Sequence, residues 1–228
     1  MGASSLNVAG SPSQAPRAHA YHRVRFSYDA RRAVVWRAVC AYLQPFIDER
    51  APLLELGAGY GEFGRFARAS EKWALDVNAE LAGYWAPDVR PLLRSALSPL
   101  PLEAASVATV FASNLFEHFT VPEIESILSE ARRVLRPGGK LIVVQPNFRL
   151  EPRRYFDDYT HKTIFTDEGF SGLLRSLDWS ITRQETRFLP FSLNSRLPAW
   201  GRLVTLYLAL PFRPLAGQFL VVAQAPPG

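Results

Sequence analysis

Short apolar runs alternate with segments of helical periodicity, and this alternation limits the fold more than any other feature of the chain. The run LLEL at 53–56 is too short for a helix and is predicted to be a strand. Further strands are predicted at 72–76, 107–112, 140–145 and 218–223, and helices at 29–50, 61–69, 78–84, 121–135 and 166–177. The pattern predicts an α/β fold, in which a mainly parallel, doubly wound sheet carries helices on both faces.

The sequence LLELGAGYGEFG, at 53–64, places four glycines directly after the first predicted strand. Glycine adopts positive φ and lets backbone N–H groups approach a ligand, so this loop indicates a nucleotide-like cofactor. Three of the glycines match the G-x-G-x-x-G dinucleotide fingerprint, and Asp76 ends the next strand, where it is placed to hold a ribose. Glu55 favours S-adenosylmethionine over NAD, because a pyrophosphate gains nothing from a nearby carboxylate, whereas an ammonium and a sulfonium do.

Four segments resemble, in the right order, the motifs of class I S-adenosylmethionine-dependent methyltransferases with small-molecule, lipid and glycan acceptors. They are LLELGAGYGEFG, ALDVN, FASNLFEHF and LRPGGKLIVVQPN, and the resemblance covers residues 29–223. It implies a Rossmann-like methyltransferase fold with a seven-stranded sheet, and it implies S-adenosylmethionine as the cofactor.

The resemblance also assigns the cofactor site. The acid and the first three glycines of the loop would surround the methionine part, Asp76 would accept both ribose hydroxyls, and Val77 would lie against adenine. Asn114 would close the pocket beside the sulfonium. Relatives often have an aspartate near adenine where this chain has Ser95, so a hydroxyl or backbone contact is expected there. The predicted cofactor-binding residues are Glu55, Gly57, Gly59, Gly61, Asp76, Val77, Ser95 and Asn114.

The segment 147–170 follows the fifth strand of the motif series and is rich in polar and aromatic side chains. It resembles a D-x-x-H…F-T element of relatives in glycan and lipid biosynthesis, matched here by Asp158, His161, Phe165 and Thr166. A hydroxyl acceptor benefits from a general base, and we predict that His161 has this role, oriented by Asp158. In the alternative interpretation the two side chains only cap the next helix and brace the turn. His118 is expected to pack or to cap.

Composition excludes several other classes of function. The net charge is +5, but the arginine pairs are spread along the chain, so nucleic acid is not an expected partner. Cys40 is the only cysteine, and no Cys/His spacing resembles a zinc site, so no metal is predicted and a reducing cytoplasm is favoured. Residues 1–20 are interpreted as a disordered tail. Residues 21–228 are interpreted as one methyltransferase domain with acceptor-side insertions at 147–165 and 187–216.

The C-terminal part has no acidic residue after Glu185, and it contains the apolar run LVTLYLALPF. Ten residues are too few to span a bilayer. In one interpretation the run packs on the domain. In the other, residues 197–212 form a lid or a peripheral contact with the inner membrane surface, for a lipid-linked acceptor.

The sequence therefore predicts a cytoplasmic S-adenosylmethionine-dependent methyltransferase that methylates an oxygen of a small-molecule, glycan or lipid-linked acceptor. Two alternatives remain open at this point: an NAD-dependent oxidoreductase, and a non-catalytic scaffold that keeps the cofactor pocket. The sequence carries no signal of oligomeric state.

Overall fold

The structure is a computed structural model and describes residues 28–190 and 201–226. The predicted tail, and parts of the predicted segments 187–216 and 197–212, lie outside these residues. The elements in chain order are α1 (Arg32–Leu43), a 3₁₀ turn (Gln44–Phe46), β1 (Leu53–Leu56), α2 (Glu62–Phe66), β2 (Lys72–Asp76), a 3₁₀ helix (Ala79–Tyr84), β3 (Val89–Leu93), β4 (Val107–Ser113), a 3₁₀ turn (Phe116–His118), α3 (Val121–Val134), β5 (Leu135–Pro146), α4 (Pro152–Tyr155), α5 (Asp167–Ser176), β6 (Ser180–Glu185), α6 (Gly201–Ala209) and β7 (Gln218–Gln224).

The seven strands form one sheet in the order β3-β2-β1-β4-β5-β7-β6. The pairs β1·β2, β2·β3, β1·β4 and β4·β5 are parallel, and β7 runs antiparallel to β5 and β6. The chain builds outward from β1 to β3 and then returns to the other side of β1 with β4. The predicted fold class is confirmed, and the crevice between β1 and β4 is the topological switch point at which such sheets bind ligands.

Helices cover both faces of the sheet. Successive apolar side chains of the central strands point to opposite faces, and each face forms its own hydrophobic core with the helices that cover it. Val110 and Val143 point to one core, together with residues of α3 and α5. Phe111 and Ile142 point to the other core, with residues of α1 and α6. The central strands are buried on both faces, which explains why they appear in the sequence as continuous apolar runs.

Both edge strands differ from the prediction, which contained neither β3 nor β6. Their side chains alternate between buried and exposed or are largely exposed, so VRPLL and SITRQE carry no continuous apolar run. Pro91 is tolerated in β3 because that strand lies at the edge of the sheet.

Two predicted boundaries also differ from the structure. The first helix ends at Leu43 instead of extending to residue 50, and a 3₁₀ turn that contains Pro45 follows it. Strand β5 begins at Leu135 instead of residue 140. It pairs Leu135 with Val107 and then Lys140 with Thr109, so the RPGG segment is an irregularity inside the ladder.

Candidate active site

The glycine loop connects β1 to α2, and three of its glycines have positive φ: 68° at Gly57, 53° at Gly59 and 74° at Gly61. A Cβ at Gly57 would lie 2.9 Å from Leu115 Cδ1, and one at Gly61 only 2.4 Å from Trp85 Cδ1. By contrast, no heavy atom of the described residues outside the immediate chain neighbours lies within 4 Å of a Cβ on Gly59. Packing therefore accounts for two of the glycines, whereas the third faces open space in which a ligand can approach the backbone.

Asp76 is buried at the end of β2, and its carboxylate is hydrogen-bonded to the backbone of the glycine loop. Its Oδ2 accepts a hydrogen bond from Gly59 N at 2.9 Å, and its Oδ1 accepts one from Asn78 N at 2.8 Å. Each carboxylate oxygen has two lone pairs, so both keep one acceptor position for a ligand hydroxyl. This geometry fits the ribose-binding role that the sequence predicted for Asp76.

Glu55 lies inside β1, next to the loop, and only 4% of its surface is exposed. Its Oε2 accepts a hydrogen bond from Gly64 N at 3.1 Å, so the carboxyl also anchors helix α2. Burial raises the pKa of Glu55 well above its ordinary value, and the charges of Glu62 and Asp76 raise it further. A buried carboxyl in this environment favours a ligand that brings a positive charge to it.

The other predicted cofactor residues follow the carboxyl ends of neighbouring parallel strands. Val77 follows β2 and is partly buried, and Ser95 follows β3, where its Oγ accepts a hydrogen bond from Leu97 N. Asn114 follows β4 with a φ of 48°, and its N–H donates to Val144 O. The sheet thus brings all the predicted cofactor residues to one edge, around the switch point. Their contacts with a ligand stay predictions.

The predicted acceptor segment packs on the 3₁₀ turn that follows β4. The backbone N–H groups of Lys162 and Thr163 both donate to Glu117 O, at 2.7 and 3.2 Å. Thr163 Oγ1 donates to Phe119 O at 2.6 Å. The loop that carries the predicted base is therefore fixed against the 3₁₀ turn that follows β4.

A hydrogen-bond chain joins Asp158 to His118. Thr160 Oγ1 donates to Asp158 Oδ1 at 2.6 Å and lies 2.9 Å from His118 Nδ1. Because the hydroxyl proton is directed to Asp158, the imidazole Nδ1 supplies the proton of the second bond. In its neutral form, His118 therefore carries its proton on Nδ1 and presents the Nε2 lone pair to its surroundings.

Glu117 lies beside both histidines and is 1% exposed. Its Oε2 accepts a hydrogen bond from Gln145 Nε2 at 2.7 Å, and its Oε1 lies 3.9 Å from His118 Nε2 and 4.0 Å from His161 Nε2. Burial raises the pKa of the Glu117 carboxyl to about 8, and the charge of Asp158 also raises it. The site therefore collects one buried carboxyl and two imidazoles.

The predicted base, His161, lies in this group with a side chain that is 6% exposed. Its N–H donates to Asp158 O, and its ring lies 5.1 Å from the ring of His118, centroid to centroid. The sequence interpretation did not select Glu117, Thr160 or Gln145. The dipeptide Glu-His shortly after the predicted strand 107–112 was the available signal for the first of these residues.

Helix α6 packs on the domain with one face and exposes an apolar face. Leu208 is 2% exposed, whereas Leu206 is 60% exposed. The exposed apolar side chains of this region, named here the C-terminal apolar patch, are Leu203, Leu206, Leu210, Phe212 and Leu215. The packing interpretation of the run fits the face that carries Leu208, whereas the lid or membrane interpretation of the exposed face stays a prediction. Within the described ranges, no helix has the length and apolar character needed to cross a membrane.

The part of the chain that forms this site matches a known protein family. The sequence model of the family described as "Methyltransferase domain" matches residues 54–143, which run from β1 to β5. A ubiquinone/menaquinone biosynthesis C-methyltransferase of Allorhizobium ampelinum is 30% identical over 63% of this chain and 64% of its own length. The same enzyme of Sinorhizobium fredii is 32% identical over 55% of this chain and 56% of its own. The matches thus span less than two thirds of these relatives.

Solved structures share the fold at lower identity. A SAM-dependent methyltransferase of Archaeoglobus fulgidus has a TM-score of 0.64 and 18% identity, covering 91% of this chain and 99% of that one. The geranyl diphosphate C-methyltransferase of Streptomyces coelicolor, solved with Mg²⁺, geranyl diphosphate and S-adenosylhomocysteine, has a TM-score of 0.59 and 14% identity, covering 82% and 77%. The sheet and its switch point are therefore those of this group of folds.

Proposed function

This chain carries a class I methyltransferase domain, and from that premise we propose that it transfers a methyl group from S-adenosylmethionine to an oxygen of a small-molecule, glycan or lipid-linked acceptor. One observation carries the proposal: two buried carboxyls, Glu55 inside β1 and Asp76 at the end of the neighbouring β2, lie next to a loop that is open above Gly59. The domain match supports this cofactor over NAD.

The residues around the loop fit S-adenosylmethionine by charge and by hydrogen-bonding capacity. When bound, the cofactor supplies a methyl group that its sulfonium has already activated. Glu55 would hold the α-ammonium, and the remaining lone pairs of Asp76 would accept the ribose hydroxyls. A pyrophosphate would instead bring negative charge to Glu55, which is unfavourable in a buried site.

On the acceptor side, the chain has to orient a hydroxyl and exclude water. A hydroxyl also needs a group that takes its proton, and a positioned base contributes about 10²- to 10⁴-fold in rate. His161, with Asp158 in the same turn, is our proposal for that group. The location of both residues beside the ends of β4 and β5 supports it.

A second candidate is methyl transfer to carbon. The curated relatives that match this chain are named for C-methylation in ubiquinone and menaquinone biosynthesis, which favours a ring carbon of a quinone-type precursor. Proton removal from a ring hydroxyl would be needed in this case too, so the same acceptor-side groups would serve it.

The cofactor is tested by calorimetric titration of the whole protein with S-adenosylhomocysteine and, separately, with NADH. Binding of S-adenosylhomocysteine without binding of NADH is the expected result. The reverse result would overturn the proposal in favour of an oxidoreductase. A scaffold would bind S-adenosylhomocysteine but would transfer no methyl group to any fraction of a cell metabolite extract.

The acceptor atom is tested with S-adenosylmethionine that carries a ¹³C-labelled methyl group. The labelled product is isolated from a metabolite or lipid extract, and its methyl carbon is observed by NMR. An oxygen-bound methyl resonates far downfield of a carbon-bound methyl, so one spectrum separates the two candidates. A carbon-bound label would replace the oxygen acceptor by the quinone-type ring.

The location of the acceptor follows from the C-terminal apolar patch, which we assign to contact with an anionic lipid surface. Five apolar side chains are exposed on or shortly after α6, Arg202 is exposed in the same helix, and no acidic residue follows Glu185. Apolar and cationic side chains on one surface match the acyl boundary and the headgroups of an anionic bilayer. The protein is proposed to act in the cytoplasm, at the inner membrane surface.

A further inference from the structure

Glu117, His118 and His161 bring one carboxylate oxygen and two imidazole nitrogens within 4.8 Å of one another. The two Nε2 atoms lie 3.9 and 4.0 Å from the same oxygen, Glu117 Oε1. A metal ion about 2.0–2.2 Å from each of three ligand atoms holds those atoms about 3–3.5 Å apart. The three atoms therefore need to approach one another by about 0.5 to 2 Å, which side-chain rotations can supply.

The surroundings of the cluster orient two of its members as metal ligands. The chain from Asp158 through Thr160 Oγ1 fixes the proton of His118 on Nδ1, so that Nε2 is the coordinating atom. A carboxylate behind a histidine is the usual outer partner of a metal-bound imidazole. Gln145 Nε2 holds the other oxygen of Glu117 at 2.7 Å, which directs Oε1 to the histidines.

We infer that Glu117, His118 and His161 form a binding site for a divalent transition-metal ion. Two imidazoles with one carboxylate select zinc, iron or manganese over calcium or magnesium, whose sites are built from oxygen ligands. A cation also offsets the cost of ionising a carboxyl that is 1% exposed. The His118 side chain is 26% exposed, which gives the ion an access route.

The proposed site has an open side, because three protein ligands leave coordination positions free. It lies at the ends of β4 and β5, and Leu115 of the same connection packs against Gly57 of the cofactor loop. On the basis of the proposed function, the ion would hold an oxygen of the acceptor and lower the pKa of a bound hydroxyl. A metal-bound His161 cannot also accept a proton at Nε2, so in the metal-bound protein the ion would replace His161 in assisting proton loss, and the acidified acceptor hydroxyl would release its proton to solvent.

No metal was predicted from the sequence, because none of its Cys/His spacings resembles a zinc site. Glu117 and His161 are far apart in the chain and meet only when the loop around Lys162 packs on the 3₁₀ turn.

The inference is tested by dialysing the whole protein against a chelator and titrating it calorimetrically with Zn²⁺ and with Mn²⁺. One-site binding of either ion, and a Co²⁺ visible spectrum typical of nitrogen ligation, are expected for the wild type. Glu117→Gln and His161→Gln should each weaken binding by about 100-fold or more. Thr160→Val, which removes the hydroxyl behind His118, should weaken it by about 10- to 100-fold.

The matched control is Glu125→Gln, which removes the same charge from an exposed position of α3 and should bind the ion as the wild type does. S-adenosylhomocysteine is titrated into every variant. A ligand variant that loses metal binding but still binds S-adenosylhomocysteine supports the metal site. A wild-type protein that binds the metal but not S-adenosylhomocysteine would contradict the proposed function and leave the metal site standing. Absence of binding by the wild type for both ions, or binding that persists in both ligand variants, overturns the inference. The Co²⁺ spectrum of the wild type decides the question if the variants do not fold.

Discussion

The carboxylate of Asp76 accepts a 2.9 Å hydrogen bond from the backbone N–H of Gly59. The end of β2 therefore holds the loop that follows β1, and the residue proposed to bind ribose also shapes the neighbouring part of the pocket. Loss of this side chain should consequently affect both the loop and the cofactor.

Replacement of Asp76 separates these two effects. Asp76→Ala removes both acceptor oxygens and should weaken S-adenosylhomocysteine binding by about 1 to 3 kcal/mol and lower the melting temperature. Asp76→Asn keeps one oxygen for the backbone but loses the charge, so affinity should fall with a smaller change in melting temperature. Calorimetry and thermal unfolding measure the two quantities. Wild-type affinity in Asp76→Ala would remove this residue from the cofactor site.

The three glycines of the loop that have positive φ should respond differently to alanine. Gly59→Ala incurs only the backbone strain of about 1–2 kcal/mol, because its Cβ points to open space, and it should mainly reduce cofactor affinity. Gly61→Ala also forces a Cβ to within 2.4 Å of Trp85, so it should destabilise the fold more. Thermal unfolding of the two variants checks this order, with Gly83→Ala as a control at a position that does not have positive φ. Equal losses of stability would mean that Trp85 moves aside freely.

The parts of the molecule that could be predicted from sequence are those in which one short segment determines its own structure. The loop at 57–61 has the glycines that its dihedral angles require, and β1 and β4 are apolar because both of their faces are buried. The edge strands were missed because β3 buries only Val89 and Leu92 and β6 has no buried side chain, so their composition resembles that of a loop.

The acceptor side shows what sequence could not supply. Glu117 was not selected, because its importance comes from burial and from contact with a loop that follows three further elements, α3, β5 and α4. The position of Trp85 over Gly61 is likewise a tertiary contact, and it explains a glycine that the sequence assigned to the cofactor alone. Local sequence patterns thus predicted which residues lie at the carboxyl ends of the parallel strands. Which of these side chains contact one another could be seen only in the structure.

The proposed membrane contact predicts opposite outcomes for two leucines of α6. Leu206 is 60% exposed, so Leu206→Asp should leave the melting temperature nearly unchanged but abolish sedimentation with anionic vesicles. Leu208 is 2% exposed, so Leu208→Asp should unfold or strongly destabilise the domain. Wild-type binding should weaken with added salt and with neutral lipid. Retention of vesicle binding by a folded Leu206→Asp protein would contradict the assignment.

The contact of Glu185 with Arg213 predicts how stability depends on pH. Glu185 ends β6, and its carboxylate accepts hydrogen bonds from Arg213 Nη1, from Tyr42 OH at 2.6 Å and from Arg183 Nε at 2.7 Å. Burial raises the pKa of Glu185, but these hydrogen bonds outweigh it and hold the pKa below the ordinary value of 4.5. Because the folded pKa is the lower one, the unfolded chain binds the proton more tightly, and protonation favours unfolding.

The stabilisation by Glu185 should therefore be fully present above pH 4.5 and should be lost as the pH falls through the lowered pKa. Glu185→Gln should lower the free energy of unfolding at neutral pH and should flatten its decrease in acid, because the variant has no carboxylate to protonate at this position. Urea unfolding at a series of pH values measures both effects. Glu125→Gln, at an exposed position of α3, should keep the wild-type slope. If the Glu185→Gln protein showed the full wild-type decrease below pH 4.5, the acid sensitivity would have to arise from other carboxylates, of which Asp167, whose pKa is also lowered, would be the next to test.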